Sequence, residues 1–111
     1  MTSSSADVST DRPGRFAKQL VSHLGRRNGG EWSNETGTGW IQLRTGRALV
    51  GARRETLHLE VIPDEGIEDP QSVNDLEDVV GRHLVRFAGT QAMVVSWIRD
   101  DGSAGSEQST D

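Results

Sequence analysis

Histidine is the side chain whose charge changes near neutral pH, so metal or proton chemistry in this sequence starts with His23, His58 and His83. On a helical wheel His83 falls between Val79 and Phe87, inside an apolar stripe, which is the setting of a core imidazole satisfied by a backbone carbonyl or a carboxylate. His23 falls at the border of its own stripe and reads as a helix-end cation near free carbonyls. Two helices lying side by side bring both rings to one crevice, so His23 and His83 are the candidate ligand-binding pair. His58 alternates onto the solvent side of a strand with Glu60 two residues on, an ordinary exposed pair. A zinc or iron site needs three or four placed ligands, and no local motif of the His-Glu-x-x-His kind supplies them. His23, His83 and one of Glu77 or Asp78 would have to be assembled by the fold, so no metal and no cofactor are expected.

Nucleophilic and nucleotide chemistry fare no better. The chain has no cysteine, which removes thiolate catalysis, disulfides and cysteine-ligated metals. Gly37-Thr38-Gly39 begins like a dinucleotide fingerprint, but Gln42 occupies the third glycine position and a strand follows where a helix is required. Neither a Walker sequence nor a Gly-x-Ser-x-Gly elbow occurs. No catalytic residue is named, and the sequence leans away from an enzyme. The bases cluster at Arg12, Arg15 and Lys18, at Arg26-Arg27 and at Arg53-Arg54, opposite an acidic stretch with no base between Glu60 and Arg82. Such polarity reads first as a pair of solvated faces, and as an alternative could orient a charged partner. With no Tyr and 2 Phe, the stacking platform of a nucleic-acid binder is missing, and no nucleic acid is expected.

The elements that must position these residues follow from periodicity. Phe16, Ala17, Leu20, Val21 and Leu24 share one helical stripe, with Thr10 or Asp11 as cap, Pro13 in the first turn and Gly25 as terminator, which predicts a helix over 12–25. A weak strand is predicted at 31–35 between glycine-rich turns. From Trp40 the period becomes two, through Ile41 and Leu43, then Ala48, Val50 and Ala52, then Leu57, Leu59 and Val61, the pattern of an antiparallel meander. Asp69-Pro70 opens a second helix that ends at Gly89, with Val73, Leu76, Val79, Val80, Leu84 and Phe87 on one face. Met93 to Ile98 reads as a final strand.

Of the 111 residues, those before Thr10 and after Arg99 are mostly Ser, Thr, Gly, Asp and Glu, and they hold all five acids in excess of the bases, giving the net charge of -5. Such segments bury too little apolar surface to offset their ordering entropy. The expected organisation is a disordered tail at 1–9, a single α+β domain at 10–99 and a disordered acidic tail at 100–111. The predicted architecture is a two-layer sandwich: a mainly antiparallel sheet of four to five strands, with two helices on one face, in the order α-β-β-β-β-α-β. The other face then shows Trp40, Gln42, Arg44, Thr56, His58 and Glu60, of which Trp40, Arg44 and His58 are the candidate partner contacts. The start lacks the basic and then apolar order of a signal peptide, and no apolar run is long enough to span a bilayer, so a cytoplasmic protein without membrane contact is expected.

Phe16, Gln19-Leu20 and His23 in the first helix, Leu76 to Val80, His83-Leu84 and Arg86-Phe87 in the second, and Trp97 near the end resemble the bacterial family called domain of unknown function 2218. Some members carry an aromatic directly after the first His and a His-Lys pair beyond it, where this chain has Leu24 and Arg26-Arg27. The resemblance implies a small α+β domain found beside, or joined to, flavin-dependent siderophore-interacting proteins. It makes a siderophore-interacting flavoprotein the expected partner and siderophore iron handling the expected setting. Three functions stay open: a non-enzymatic accessory or binding protein, a small-ligand or metal-binding protein or weak enzyme using His23 and His83, and a structural homodimer in place of a monomer.

Overall fold

The computed structural model describes residues 3–67, 69–89 and 91–110, apart from the side chain of Arg27. The elements are β1 (Ser4–Ser9), α1 (Pro13–Asn28), β2 (Gly30–Ser33), β3 (Thr38–Gln42), β4 (Gly46–Ala52), β5 (Thr56–Pro63), α2 (Pro70–Ala88), β6 (Val94–Arg99) and β7 (Ala104–Ser109). All seven strands join one antiparallel sheet in the order β2-β3-β4-β5-β1-β6-β7. Both helices cover the same face, so the α+β sandwich is as expected, while the strand count is higher than four to five. Ala6, Val8, Ile41, Val50, Leu57, Leu59, Val61, Val95 and Trp97 point from the sheet into the core, against Phe16, Leu20 and Val21 of α1 and Leu76, Val80 and Leu84 of α2. Each fully buried leucine among them contributes about 1.5–3 kcal/mol relative to exposure.

The two added strands come from the segments whose composition predicted disorder. β1 lies between β5 and β6, with Ala6 opposite Leu59 and Ser5 opposite Ile98. A strand at that position buries one face and pairs both edges, so Ser4, Ala6 and Val8 sit in the core although only two of them are apolar. β7 pairs along β6 and is held to α2 by side-chain hydrogen bonds. Residues 1, 2 and 111 of the expected tails lie outside the described residues.

The helix boundaries shift for local reasons. α1 runs three residues past the expected stop, because Gly25 stays helical and Gly29, at φ 108°, takes the terminating position with its N–H on the Gly25 carbonyl. Its N-cap is Arg12, which makes no side-chain cap bond; Thr10 instead accepts from the Arg12 N–H. α2 begins where Asp69-Pro70 predicted. Asp69 accepts from the Ser72 hydroxyl and N–H, and these bonds hold its carboxyl below the usual carboxylate range.

Candidate functional site

α1 and α2 sit over different parts of the sheet, and the seam between them opens toward the turn joining β3 to β4. This leaves a cleft of about 920 Å³. Its apolar floor is Leu24, Leu43, Leu76 and Val79, and its rim carries His23, His83, Arg26, Arg44 and Asp75. The His23 and His83 rings approach to 5.2 Å between centroids, tilted by 44°, and the edge of Phe87 closes on His23 at 5.4 Å. His83 Nδ1 lies 2.7 Å from the Val79 carbonyl. A carbonyl only accepts, so Nδ1 bears the proton, and in the neutral ring Nε2 keeps its lone pair for a ligand.

The structure therefore brings the two helix histidines together, with His83 half-buried at a rim and not in the core. The backbone-carbonyl partner is the one the sequence suggested; the burial is not. Val79, on the expected apolar stripe, is 39% exposed because that edge of α2 faces the open seam. The rim can hydrogen-bond and neutralise an anion, since Arg26 and Arg44 face a single carboxylate, Asp75, which already accepts from Gln71 Nε2 at 2.9 Å. Among the described residues no group of three or more His, Cys, Asp or Glu is arranged to hold a metal ion.

The three residues expected to face a partner do not share a surface. Trp40 and His58 line a shallow groove on the uncovered sheet face, but Arg44 sits beyond the end of β3, in the turn that borders the histidine cleft. β3 ends at Gln42, so strand alternation no longer places Arg44 on the open face. His58 pairs with Asp7 and not with Glu60: Asp7 is its register partner on β1, and His58 Nδ1 meets Asp7 Oδ1 at 2.7 Å. Arg53 approaches the same carboxylate at 3.8 Å. Trp40 lies across from Leu49, and the two are 39% and 36% exposed, forming a small apolar island on this face.

A family model described as "Uncharacterized protein conserved in bacteria (DUF2218)" matches residues 5–98. The chain belongs to this family. Among solved structures, the NMR structure of PA4090 from Pseudomonas aeruginosa is similar, with 22% sequence identity, a TM-score of 0.68, and coverage of 87% of this chain and 95% of that one. At that identity the likeness is one of fold. No curated protein matches. The family segment contains His23, His83, Trp40 and His58, and it stops short of β7.

One polar cluster that sequence reasoning missed ties β7 to the family segment. Glu77, placed on a solvated acidic face by its neighbours, is 0% exposed. Its carboxylate accepts from the Ser106 N–H at 2.9 Å and hydroxyl at 2.8 Å, and from Arg99 Nε at 3.4 Å. Burial pushes this carboxyl up, but the Ser4 hydroxyl close by, Ser106 and Arg99 together hold it below the usual carboxylate range. Beside it, Gln108 Oε1 accepts from Trp97 Nε1 at 2.7 Å, and Gln108 Nε2 donates to Asp78 at 2.9 Å. Gly81 and Gly105 permit this contact, since a Cβ at either would overlap the Gln108 or Glu77 side chain. The signal available in the sequence was Glu77 itself, at helical spacing from Val73 and Val80. Among the described residues no helix is long and apolar enough to cross a membrane.

Proposed function

We propose that this chain is a binding domain for a small organic anion, seated in the cleft between α1, α2 and the β3–β4 turn. The observation that carries the reading is the pairing of His23 with His83 at 5.2 Å on the rim of a cleft that also carries the cations Arg26 and Arg44. Guanidinium groups take carboxylates in paired hydrogen bonds, imidazole adds a donor or acceptor as the ligand requires, and an apolar floor takes the ligand's hydrocarbon body. These are recognition groups, which favours a non-enzymatic role. Among such anions the resemblance to domains found beside siderophore-interacting flavoproteins makes a ferric siderophore the first to try.

Amide-resolved NMR titration with citrate, and with the diamagnetic gallium form of a catecholate siderophore, tests this. Saturable shifts centred on His23 and His83 are expected. His83→Ala should weaken binding about tenfold, the effect of losing one hydrogen bond to a charged group. A folded protein whose signals there stay still, or whose affinity ignores His83→Ala, removes the reading.

The Trp40–Leu49 island favours a second reading, a protein contact on the uncovered sheet face. Trp40→Ala should then change stability by no more than about 1 kcal/mol in thermal unfolding, against about 3–5 kcal/mol for truncating a core aromatic. A loss in the larger range would make Trp40 a packing residue.

A further inference from the structure

From Arg12 through Arg27 the sequence contains no carboxylate, although the whole chain is acidic. Arg12, Arg15, Lys18 and Arg26 are exposed along α1, and among the described residues none of them is in an ion pair. They are not scattered cations. A cleft of about 540 Å³ at the start of α1 is lined by Asp11, Arg12, Arg15 and Phe87, two cations against one carboxylate. A second, of about 400 Å³, shares Arg15 and Phe87 with it and adds Lys18, His23 and Arg26. The histidine cleft shares His23 and Arg26 with the second. The three therefore adjoin in a row along the seam of the helices, an interrupted groove crossed by the His23 ring where it meets His83 and Phe87, mainly cationic on the α1 side with Asp11 at its start, and with Phe87, Val79 and Asp75 on the α2 side.

We propose that this groove binds an extended acidic peptide segment, in which carboxylates alternate with apolar side chains. The proposal rests on the reading of the histidine cleft as an anion site and names the source of the anion as a polypeptide. Arg12 and Arg26 are separated by about 21 Å at about 1.5 Å of helix rise per residue. About six residues of extended chain, at about 3.4 Å each, cover that length. Successive side chains of such a chain point to opposite sides, so acidic residues meet the cations of α1 while the intervening ones meet Phe87 and Val79. A short peptide also suits the charge distribution better than a nucleic acid does. The body has as many acids as bases and the chain as a whole carries -5, so a polyanion longer than the groove meets repulsion beyond it.

Fluorescence anisotropy with a labelled octapeptide of alternating Glu and Leu tests the proposal, with a labelled oligothymidine and phosphatidylglycerol vesicles as competing probes. Saturable, salt-weakened peptide binding is expected. The charge-reversed Arg15→Glu/Lys18→Glu variant, confirmed folded by circular dichroism, should bind the peptide at least about tenfold more weakly, because both sites are exposed and act by charge. The citrate shifts at His23 and His83 should persist in that variant. Peptide binding that ignores this variant, or tighter binding of the oligothymidine or the vesicles, overturns the groove proposal. Peptide binding that responds to the variant in a protein whose histidine cleft ignores citrate supports the groove and removes only the small-anion reading.

Discussion

Glu77→Ala is expected to lower the free energy of unfolding by about 3 kcal/mol in urea denaturation at neutral pH, the scale of breaking a buried charge pair by removing one partner. Alanine there leaves the Ser106 N–H and hydroxyl and the largely buried Arg99 guanidinium facing a void. Buried donors left unmatched still bear the cost of leaving water, without the bond that offset it. The same carboxylate sets an acid limit. Its folded value lies below the ordinary 4.5, so the stability it supplies is complete above about pH 4.5 and is lost as pH falls through the lowered value. Unfolding followed from pH 7 downward should therefore show stability falling below about pH 4.5. Glu77→Gln should flatten part of that fall, the remainder belonging to capping groups such as Asp69, which is lowered in the same direction. A pH profile unchanged by Glu77→Gln would place the acid sensitivity elsewhere.

Trp97→Ala should cost about 3–5 kcal/mol by the same assay, the range for truncating a core aromatic. Trp97 is 2% exposed, fills the core beneath α2 and donates its indole N–H to Gln108. Truncation therefore opens a cavity and strands the Gln108 oxygen at once. Trp97→Phe helps separate these two effects, since it removes the N–H donor while keeping an aromatic ring and much of the volume in the core. Because Trp97 and Glu77 both fasten β7, the double variant should lose less than the two single losses combined. Strict additivity would mean that the two side chains act on independent parts of the fold.

α2 was legible because its stripe, its Asp69-Pro70 start and its Gly89 end all agree, and β3 to β5 because their inward residues, Ile41, then Ala48 and Val50, then Leu57, Leu59 and Val61, are apolar at every second position. β1 was not, because Ser4 and Ala6 are small and the burial of that strand comes from where it pairs, between two partners far away in sequence. β7 was invisible for a different reason: its inward side chain is Gln108, held by hydrogen bonds, and periodicity of hydrophobic residues carries no trace of that. The candidate site divides along the same line. Two histidines at similar places in two helices could be seen; that they meet depends on how far apart the helices rest on the sheet. Alternation puts Arg44 on the open sheet face only while the strand continues, and β3 ends at Gln42.

The outer strands of the sheet bear on how copies of this chain meet one another. One border is β2, only four residues long, and the other is β7, whose residues are small or polar and include Glu107. Short or charged borders are poor templates for adding a further strand. Without β7, the exposed Val94 and Ile98 would stand beside an unsatisfied row of β6 backbone groups, the usual starting point for runaway strand addition and fibre growth. The polar C-terminal strand thus covers the β6 border, and the borders that remain, β2 and β7, are short or polar.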